Sequence, residues 1–596
     1  MKHKPTFFEE VPHDNRVHLE DVDATPIHHN SNITTNTTLL PSFTYLVYLH
    51  RSVRNLLFSL IFDWNMVFMH PLNFLILVTV FPAFMIGLVV IGLSLHLGYS
   101  LGMGKAIKKI GDKWGGGLSP VNWWDPRIFS DEVSSIVNNA IQAMDEPQHI
   151  PSDSVPGAKL PSVQPKTFNI DIAEFLLFVS ALIYERDDNI VHEAHEQMSA
   201  FKLDPALRTP ESYQQINLKL RDSEKFIHDQ AHKWGLQFIS LSELNSLGGP
   251  FAGMFWSLQH NFIIVAFKGT TPTNVEDFLV DALFQRCDAR PFLFGDVHEG
   301  FYTSLFPESH ASARSGSASP YFTIMKGIKA KALEIKQAME KMNPPKKDPV
   351  NIWITGHSLG AGLATLFYSR LLLSPKDLGP NAILRDAYLI GTPAVGDSDF
   401  AAQFAAHSSR PYDRHNTLWR IIDDIDIITK LPPGFNNPYI SQHISKNNIL
   451  NYAHVGEGIR FFQDGRLPQA TRNVFTSGNE AVIVEKAKSN GFALKGLFTF
   501  NSLWNGIKEP LNGISGDDAD DDDHVKRRLR NLRDIADGKP FVHKPESPLC
   551  LVEKVLPTFF RNHLPARYFQ AMQRARVYFD EDAKGSQGLK KDVLTN

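Results

Sequence analysis

Thr355-Gly356-His357-Ser358-Leu359-Gly360-Ala361-Gly362 is the stretch of sequence that decides the fold. The apolar, β-branched run at residues 351–355 is typical of a buried central strand, and residues 361–373 have the apolar spacing of a buried helix. A Gly-x-Ser-x-Gly sequence between a strand and a helix forms a sharp turn that exposes the serine hydroxyl. Both glycines of the motif are required, because a side chain at either position would collide with the neighbouring strand or helix. The stretch therefore predicts a nucleophile elbow with Ser358 as the nucleophile.

Strands and helices alternate around the elbow. Residues 251–257 and 262–267 are predicted to form a strand hairpin, and residues 324–342 a helix that leads into the elbow strand. Further strands are predicted at residues 386–390 and 417–422, and an amphipathic helix at residues 170–184. We therefore expect an α/β protein with the α/β-hydrolase fold and a mainly parallel central sheet.

The composition of the 596-residue chain argues against several kinds of site. Sixty Lys and Arg residues against 64 Asp and Glu give a net charge of −4, which offers no support for nucleic-acid binding. The two cysteines, Cys287 and Cys550, allow at most one disulfide bridge. No Cys/His cluster has metal-ligand spacing and no glycine-rich phosphate loop is present in the sequence. We therefore expect neither a metal nor a cofactor.

A long apolar run predicts an N-terminal transmembrane segment. The 22 residues from Phe74 to Leu95 carry no charge, and they would span about 33 Å as a helix, which matches a bilayer core. The denser cluster of lysines follows this run, at residues 105–113, so the positive-inside rule places the C-terminal part in the cytosol. We expect an integral protein of an intracellular endomembrane such as the endoplasmic reticulum, with lumenal glycosylation acceptors at Asn32 and Asn36. Because Pro82 interrupts the run, a hairpin with both ends in the cytosol remains an alternative.

Composition shifts divide the chain into four predicted regions. Residues 1–54 are predicted to be a disordered tail, residues 55–104 the membrane segment with its core at 74–95, and residues 105–165 a linker. Residues 166–596 are predicted to form the hydrolase domain, with a charged insertion near 515–540. An acidic block followed by a basic run in this insertion fits either a solvated surface or a contact with lipid headgroups.

A serine becomes an effective nucleophile when a histidine takes its proton and a carboxylate orients that histidine. In α/β-hydrolases these residues occur in the order serine, acid, histidine. Asp423, Asp424 and Asp426 follow a predicted strand. Asp426 is the predicted acid, because the Asp-Ile-Ile-x-x-Leu-Pro-Pro sequence that it begins would anchor the turn. Asp423 and Asp424 are expected to face solvent, although either remains an alternative acid.

Five ordered motifs resemble those of the class 3 (fungal-type) lipase family. They are Phe267-Lys-Gly-Thr270, Val297-His-Glu-Gly-Phe301, Gly356-His-Ser-Leu-Gly360, Gly391-Thr-Pro-Ala-Val-Gly-Asp397 and the segment from Asp426 to Pro433. The resemblance covers residues 169–569, and the apolar N-terminal run is closer in character to membrane-bound diacylglycerol lipases. Lys268, where an arginine is usual, and the long C-terminal insertions depart from the family pattern. The resemblance implies a serine hydrolase that cleaves carboxylic esters of lipids without a cofactor.

Two histidines compete for the role of general base. His454 follows Asp426 by 28 residues and is the nearer partner in sequence. The resemblance implies instead that the His-x-Gly-Glu element at His454 is structural, and that the base lies in a His-Leu-x-x-Tyr-Phe-like segment. The residues from Asn562 to Phe569 resemble that segment with one additional residue. We therefore predict His563 as the base and keep His454 as the alternative.

Ester cleavage also requires two hydrogen-bond donors that stabilise the oxyanion. The backbone N–H of Leu359, directly after the nucleophile, is one predicted donor, and the resemblance implies that Thr270 supplies the other. The amphipathic segment at residues 274–284 lies at the family's lid position, where it would cover an acyl groove in water and open at a lipid surface. A fixed helix packed on the core is the alternative for this segment.

Together these features predict a membrane-anchored serine lipase that acts on di- or triacylglycerol. A phospholipase acting on membrane glycerophospholipids is the alternative enzyme, and an inactive lipid-binding membrane scaffold is the alternative outside catalysis. The expected partners are a lipid ester substrate and a bilayer or lipid surface. The sequence indicates no oligomeric state.

Overall fold

The structure is a computed structural model. It describes residues 41–62, 64, 66–69, 71–102, 109, 118–146, 168–243, 251–269, 285–307, 319–408, 416–432, 434, 444, 448–471 and 561–584. The sequons at Asn32 and Asn36, the lid segment at 274–284, Cys550 and the charged insertion near 515–540 lie outside the described residues.

A mainly parallel sheet of eight strands lies at the centre of the fold. The strands of the described residues are β1 (Gln237–Glu243), β2 (Phe251–Trp256), β3 (Phe262–Phe267), β4 (Arg286–Asp288), β5 (Asp296–His298), β6 (Val350–His357), β7 (Ala382–Ile390), β8 (Leu418–Asp423), β9 (Glu457–Phe461) and β10 (Gln469–Thr471). Their order in the large sheet is β1-β2-β3-β6-β7-β8-β9-β10, and β4 pairs with β5 separately. The run from β3 through β6, β7 and β8 to β9 is parallel, whereas the pairs at the two edges are antiparallel.

Helices cover both faces of this sheet. The α-helices of the described residues are α1 (Pro41–Phe62), α2 (Met66–Met69), α3 (Pro71–Ser100), α4 (Ser134–Asp145), α5 (Ile170–Leu182), α6 (Asp188–Leu203), α7 (Pro210–Ser223), α8 (Lys225–Lys233), α9 (Glu299–Leu305), α10 (Pro320–Glu340), α11 (Leu359–Leu373), α12 (Ser398–Ser408) and α13 (Pro565–Lys584). Short 3-10 turns occur at Pro120–Asn122, Pro126–Phe129, Asp131–Val133, Pro205–Leu207, Pro375–Leu378 and Ile428–Lys430.

The coarse fold prediction is confirmed. β6 and α11 form the strand and helix of the elbow, and β2 and β3 pair as the predicted hairpin. The predicted strands at 386–390 and 417–422 correspond to β7 and β8. A parallel sheet with helices on both faces and the Ser358 turn on a central strand is the arrangement of an α/β-hydrolase.

The sheet separates two hydrophobic cores. Side chains of α9, α10 and α11 fill the core on one face, and side chains of α4, α5 and α13 fill the core on the other. Every residue of α5 except Asp171 is buried. The helix predicted as amphipathic at residues 170–184 is therefore buried on nearly all sides, because the sheet covers one side and α13 another.

Part of the predicted linker at residues 105–165 belongs to the folded domain. Residues 118–146 form three 3-10 turns and α4, and the α4 residues Ala140 and Met144 are fully buried. Asn351 of β6 donates a side-chain hydrogen bond of 3.0 Å to the Met144 carbonyl. The linker prediction is wrong for this part, because the apolar face of α4 covers the sheet despite the Gly-, Pro- and Ser-rich sequences around it.

The N-terminal helices pack against the sheet domain. α1 begins at Pro41, so the end of the predicted disordered tail is helical. Leu77, Phe81 and Met85 lie on one face of α3 and are buried against the loops that follow β7 and precede β9. The hydroxyl oxygen of Ser59 in α1 accepts a hydrogen bond of 3.1 Å from the Ile449 N–H. Part of the apolar surface of this region is therefore used for packing within the protein.

The same helices bear on the membrane prediction. Among the described residues, no helix has the length and apolar character required to cross a bilayer. The structure therefore does not support the transmembrane segment predicted from Phe74 to Leu95.

The elbow packing can be tested with Gly356→Ala. A Cβ atom at residue 356 would lie 2.6 Å from the carbonyl oxygen and 2.7 Å from the carbonyl carbon of Gly360, both of them backbone atoms of α11. Because these atoms move only if the helix moves, we expect the free energy of unfolding in urea to fall by about 1–3 kcal/mol or more.

Gly87→Ala in α3 is the matched control. No atom lies within 4 Å of its Cβ position, so this variant should keep its stability or gain slightly from the better helix propensity of alanine. Equal stability of the two variants would contradict the close approach of strand and helix at the elbow.

Candidate active site

Ser358 is the single residue that connects β6 to α11. Its backbone has φ 60° and ψ −131°, and among the described residues it is the one non-glycine residue with a positive φ. Such a conformation is costly for a residue with a Cβ, and it persists where the surrounding structure enforces it. The Ser358 N–H donates a hydrogen bond of 2.9 Å to the Ile390 carbonyl at the end of β7. The side chain is half-buried, at the carboxyl end of a central strand.

Asp426 and His563 form a hydrogen-bonded pair. His563 Nδ1 lies 2.8 Å from Asp426 Oδ2, and the Asp426 side chain is fully buried. The Tyr568 hydroxyl also donates to Asp426 Oδ2, and the Ile428 N–H donates to Asp426 Oδ1 at 2.8 Å. Burial alone would raise the pKa of Asp426, but His563, Tyr568 and the Ile428 N–H together lower it below its ordinary value. Asp426 is therefore ionised at neutral pH and holds the proton of His563 on Nδ1.

This pair lies against the elbow. A Cβ atom at Gly391, the residue after Ile390, would be 2.9 Å from His563 Cε1 and 3.1 Å from Asp426 Oδ2. The His357 and His563 rings are 4.7 Å apart, centroid to centroid. His563 therefore contacts residues that adjoin Ser358 in the chain and across the sheet.

The outer ring nitrogen of His563 is buried without a partner. His563 Nε2 makes no hydrogen bond within the described part of the chain, so the bond expected from the Ser358 hydroxyl is not formed in this conformation. Such bonds often shorten only when substrate binds. With Nδ1–H donated to Asp426, Nε2 carries the lone pair that can accept a proton.

His357 connects the elbow to His563. Its Nε2 lies 2.7 Å from the His563 carbonyl oxygen, and the Tyr184 hydroxyl donates to the His357 carbonyl at 3.2 Å. Burial, with a smaller effect of His563, lowers the pKa of His357 to about 3. The ring is therefore neutral and donates its Nε2–H to the His563 backbone. The sequence marked His357 only as part of the motif and did not indicate this contact.

His454, the alternative base, occupies a different place. It is buried, and its Nε2 lies 2.8 Å from the carbonyl oxygen of Thr429, in the turn that follows Asp426. Burial, and to a smaller extent Arg420, lowers the pKa of His454 well below its ordinary value. The structure thus brings His563, and not His454, to the Asp426 carboxylate.

The three aspartates of the acid segment differ in their surroundings. Asp423 is fully buried, so the expectation that it faces solvent is wrong for this residue. Asp424 is partly exposed and lies 3.5 Å from Arg466 and 3.9 Å from Arg460. Asp423 is buried because residues of α13 and of the loop before it cover the end of β8, where Asp423 lies. Nothing local in the sequence signals that cover.

Of the two predicted oxyanion donors, the structure describes Leu359. Leu359 is the first residue of α11, where backbone N–H groups have no acceptor in the preceding turn. Thr270 lies outside the described residues, but Gly269 lies against the elbow, since a Cβ there would be 2.9 Å from the His357 carbonyl oxygen. Among the described residues no His, Cys, Asp and Glu cluster could hold a metal ion.

Known proteins resemble the centre of the chain. Residues 264–436 match the family model described as lipase (class 3). The chain is 22% identical to the triacylglycerol lipase OBL1 of Arabidopsis thaliana over 29% of this chain and 34% of that protein. It is 30% identical to the phospholipase A1-IIgamma of Arabidopsis thaliana over 24% of this chain and 33% of that protein. Matches of this kind span about a third of the length of these relatives.

A solved structure is similar at a lower sequence identity than these two relatives. The native propeptide complex of Rhizomucor miehei lipase is 18% identical, with 56% of this chain and 87% of that chain covered, at a TM-score of 0.27. The matched family region contains the elbow, the end of β3 and the turn at Asp426. Through this region, about three tenths of its length, the chain is similar to the class 3 lipase family.

Proposed function

We propose that this protein hydrolyses carboxylic esters of lipids, with Ser358 as nucleophile, His563 as general base and Asp426 as the acid that orients the base. The observation that carries the proposal is the buried His563–Asp426 pair at 2.8 Å, placed against the strained elbow that presents Ser358. An inactive scaffold would have no use for a strained serine beside an oriented histidine, because that strain costs about 1–3 kcal/mol.

In the proposed reaction His563 Nε2 takes the hydroxyl proton while Ser358 Oγ bonds to the acyl carbon. The negative charge moves to the former carbonyl oxygen, which the Leu359 N–H at the start of α11 stabilises together with the donor from the Thr270 loop. The intermediate collapses to an acyl-serine, and His563 returns the proton to the departing alcohol. A water molecule, deprotonated by the same histidine, then releases the fatty acid. Asp426 stabilises the imidazolium at each stage, and every step uses protein groups and water alone.

The substrate proposed is an acylglycerol, di- or triacylglycerol. Similarity to a triacylglycerol lipase supports it, and similarity to a phospholipase A1 keeps a membrane phospholipid as the alternative. The relation in character to membrane-bound diacylglycerol lipases stays a prediction. Release of fatty acid from diacylglycerol and from phosphatidylcholine in mixed micelles, measured side by side, distinguishes the two substrates.

We also propose that the N-terminal helices contact a lipid surface. Of the 22 large apolar side chains that are exposed among the described residues, 13 lie between Val53 and Leu101. On α1 and just beyond it, Val53, Leu57, Ile61, Trp64 and Phe68 recur every three or four residues and are all exposed. A contiguous apolar face of this kind is uncommon on a protein that meets only water.

Charge and position both fit that partner. Between Pro41 and Lys113 the sequence has six basic and two acidic residues, against a net charge of −4 for the chain, which favours an anionic lipid surface. α3 packs on Ala394, in the loop that begins at Gly391 beside His563. The apolar face would therefore hold the active site next to the lipid that contains its substrate. Location in an endomembrane such as the endoplasmic reticulum, with the catalytic domain in the cytosol, stays a prediction.

Ser358→Ala should abolish ester hydrolysis and labelling by a fluorophosphonate probe. Without the Oγ nucleophile, kcat should fall by at least about 10³-fold. The half-buried hydroxyl contributes little to packing, so the thermal unfolding temperature should remain within a few degrees of the parent. Activity near that of the parent protein would remove Ser358 from the proposed mechanism.

The two histidines should respond differently to alanine. His563→Ala should reduce kcat by about 10³-fold or more, since no other group takes the serine proton. His454→Ala should instead lower the thermal unfolding temperature, because it removes the bond to the Thr429 carbonyl, while the folded fraction keeps most of its specific activity. A reversed pattern, with kcat lost only in His454→Ala, would show that the base is misassigned.

The lipid contact can be tested with Ile61→Asp combined with Phe68→Asp, two side chains that are 64% and 79% exposed. Co-sedimentation with vesicles of phosphatidylcholine and phosphatidylserine should fall at least about tenfold, because two charges would have to enter the apolar boundary. Leu333→Asp, on α10 of the hydrolase domain and 46% exposed, is the control and should bind like the parent. Unchanged binding of the double variant would exclude this face, and a change from dimer to monomer without a change in binding would assign it to a second copy of the chain.

A further inference from the structure

Asp423 is a fully buried carboxylate that the proposed chemistry does not use. It stands at the end of β8, three residues before Asp426. Its side-chain partners are amides: Asn562 Nδ2 donates to Oδ1 at 2.9 Å, and Gln463 Nε2 donates to Oδ2. A carboxylate is costly to bury, and such groups are retained where their hydrogen bonds hold something in place.

Both amides connect Asp423 to the base segment, residues 561–574, which contains His563. Asn562 directly precedes His563 in the chain. Gln463 Nε2 also donates to the Arg567 carbonyl at 2.9 Å, and Gln463 Oε1 accepts from Arg574 Nη1 at 2.9 Å. Asp423 therefore contacts the residue before His563 and, through Gln463, the helix α13 that follows His563.

The described contacts that join the base segment to Asp423 and Gln463 link residues that are more than 100 positions apart in the sequence. Residues 472–560 lie between β10 and the segment that begins at Arg561. With so many residues between them, the position of His563 relative to Ser358 depends on noncovalent contacts. The hydrogen bond to Asp426 fixes one ring nitrogen of His563. The hydrogen bonds that Asp423 accepts from the side-chain amides of Asn562 and Gln463 hold the chain before and after His563.

We propose that Asp423 is a positioning residue for the general base: through Asn562 and Gln463 it holds the segment that presents His563 to Ser358. The inference rests on the proposed role of His563 and names a further residue of the same site. Asp423 touches neither the substrate nor the reacting atoms. Its effect should therefore appear in kcat, while substrate binding and KM stay nearly unchanged.

Asp423→Asn tests the inference directly. The new amide can accept only through one oxygen, and its NH₂ group faces a second donor, so the base segment loosens. We expect kcat to fall at least about tenfold with KM unchanged within about twofold and the circular dichroism spectrum retained. Asp424→Asn is the matched control: it removes a neighbouring carboxylate that is partly exposed and pairs with surface arginines, and it should leave kcat as in the parent.

An exchange of the two side chains separates positioning from simple structural damage. Asp423→Asn with Asn562→Asp reverses donor and acceptor in the 2.9 Å bond and leaves an oxygen at residue 423 for Gln463. The double variant should recover at least about tenfold of the kcat lost in the poorer single variant. A double variant no better than that single variant would overturn the proposal.

The pH dependence gives a second readout. Burial, with a smaller contribution from Asp426, raises the pKa of Asp423 to about 7. The charged and titratable groups that act on it are Asp426, Lys430 and Tyr568. Below that pH the carboxyl carries a proton and loses one acceptor position, so the acid limb of the kcat profile should contain two ionisations in the parent and one in Asp423→Asn. Identical acid limbs would contradict the proposal.

Failure of the inference and failure of the proposed function give different results. If Asp423→Asn has the kcat of the parent while His563→Ala is inactive, His563 is the base and Asp423 does not position it. If His563→Ala is active, the proposed mechanism itself fails. Should Asp423→Asn not fold, Asn562→Ala removes the same bond from the partner side and should show the same loss of kcat at constant KM.

Discussion

The hydrogen bond between His563 and Asp426 joins residues that are 137 positions apart, and the candidate site exists only because this bond is made. α13 and the loop in front of it are held against the sheet by packing. Ala566, Tyr568 and Phe569 of this segment are buried in the core that contains α5. Their apolar burial offsets the entropy lost when so distant a segment is fixed.

The buried polar groups around the His563–Asp426 pair are hydrogen-bonded, each donor to an acceptor. Asp426 is ionised and accepts from three donors, His357 is neutral and donates to the His563 backbone, and Asp423 accepts from two side-chain amides. Each group would destabilise the fold if it were buried alone. Held together, they leave the His563 Nε2 lone pair without a hydrogen bond from any described residue. Such preorganisation would reduce the rearrangement needed during the proposed reaction.

The N-terminal helices show how one apolar sequence can serve two purposes. One face of α3 fills a cluster with Ala394 and Tyr452, whereas Ile86, Val90 and Leu97 remain exposed. The hydropathy of a segment is summed over all faces of the helix and does not distinguish a buried face from an exposed one. For that reason the sequence predicted a membrane span rather than a packed helix. The same limitation explains residues 118–146, where Gly and Pro around α4 suggested a linker although its apolar side chains cover the sheet.

The sequence by itself determined the local features: the elbow at Ser358, the strands and helices beside it, and the acid turn that begins at Asp426. These depend on residues that are neighbours in the chain, where the alternation of apolar side chains and the positions of Gly and Pro decide the structure. For the base, the sequence left two candidates, and His454 was the nearer one. Only the tertiary structure decided that His563 reaches Asp426, that His454 bonds to Thr429 and that Asp423 is buried. The physical reason is that these contacts arise when α13 docks on the sheet, and docking depends on the combined shape and burial of surfaces that no local pattern records.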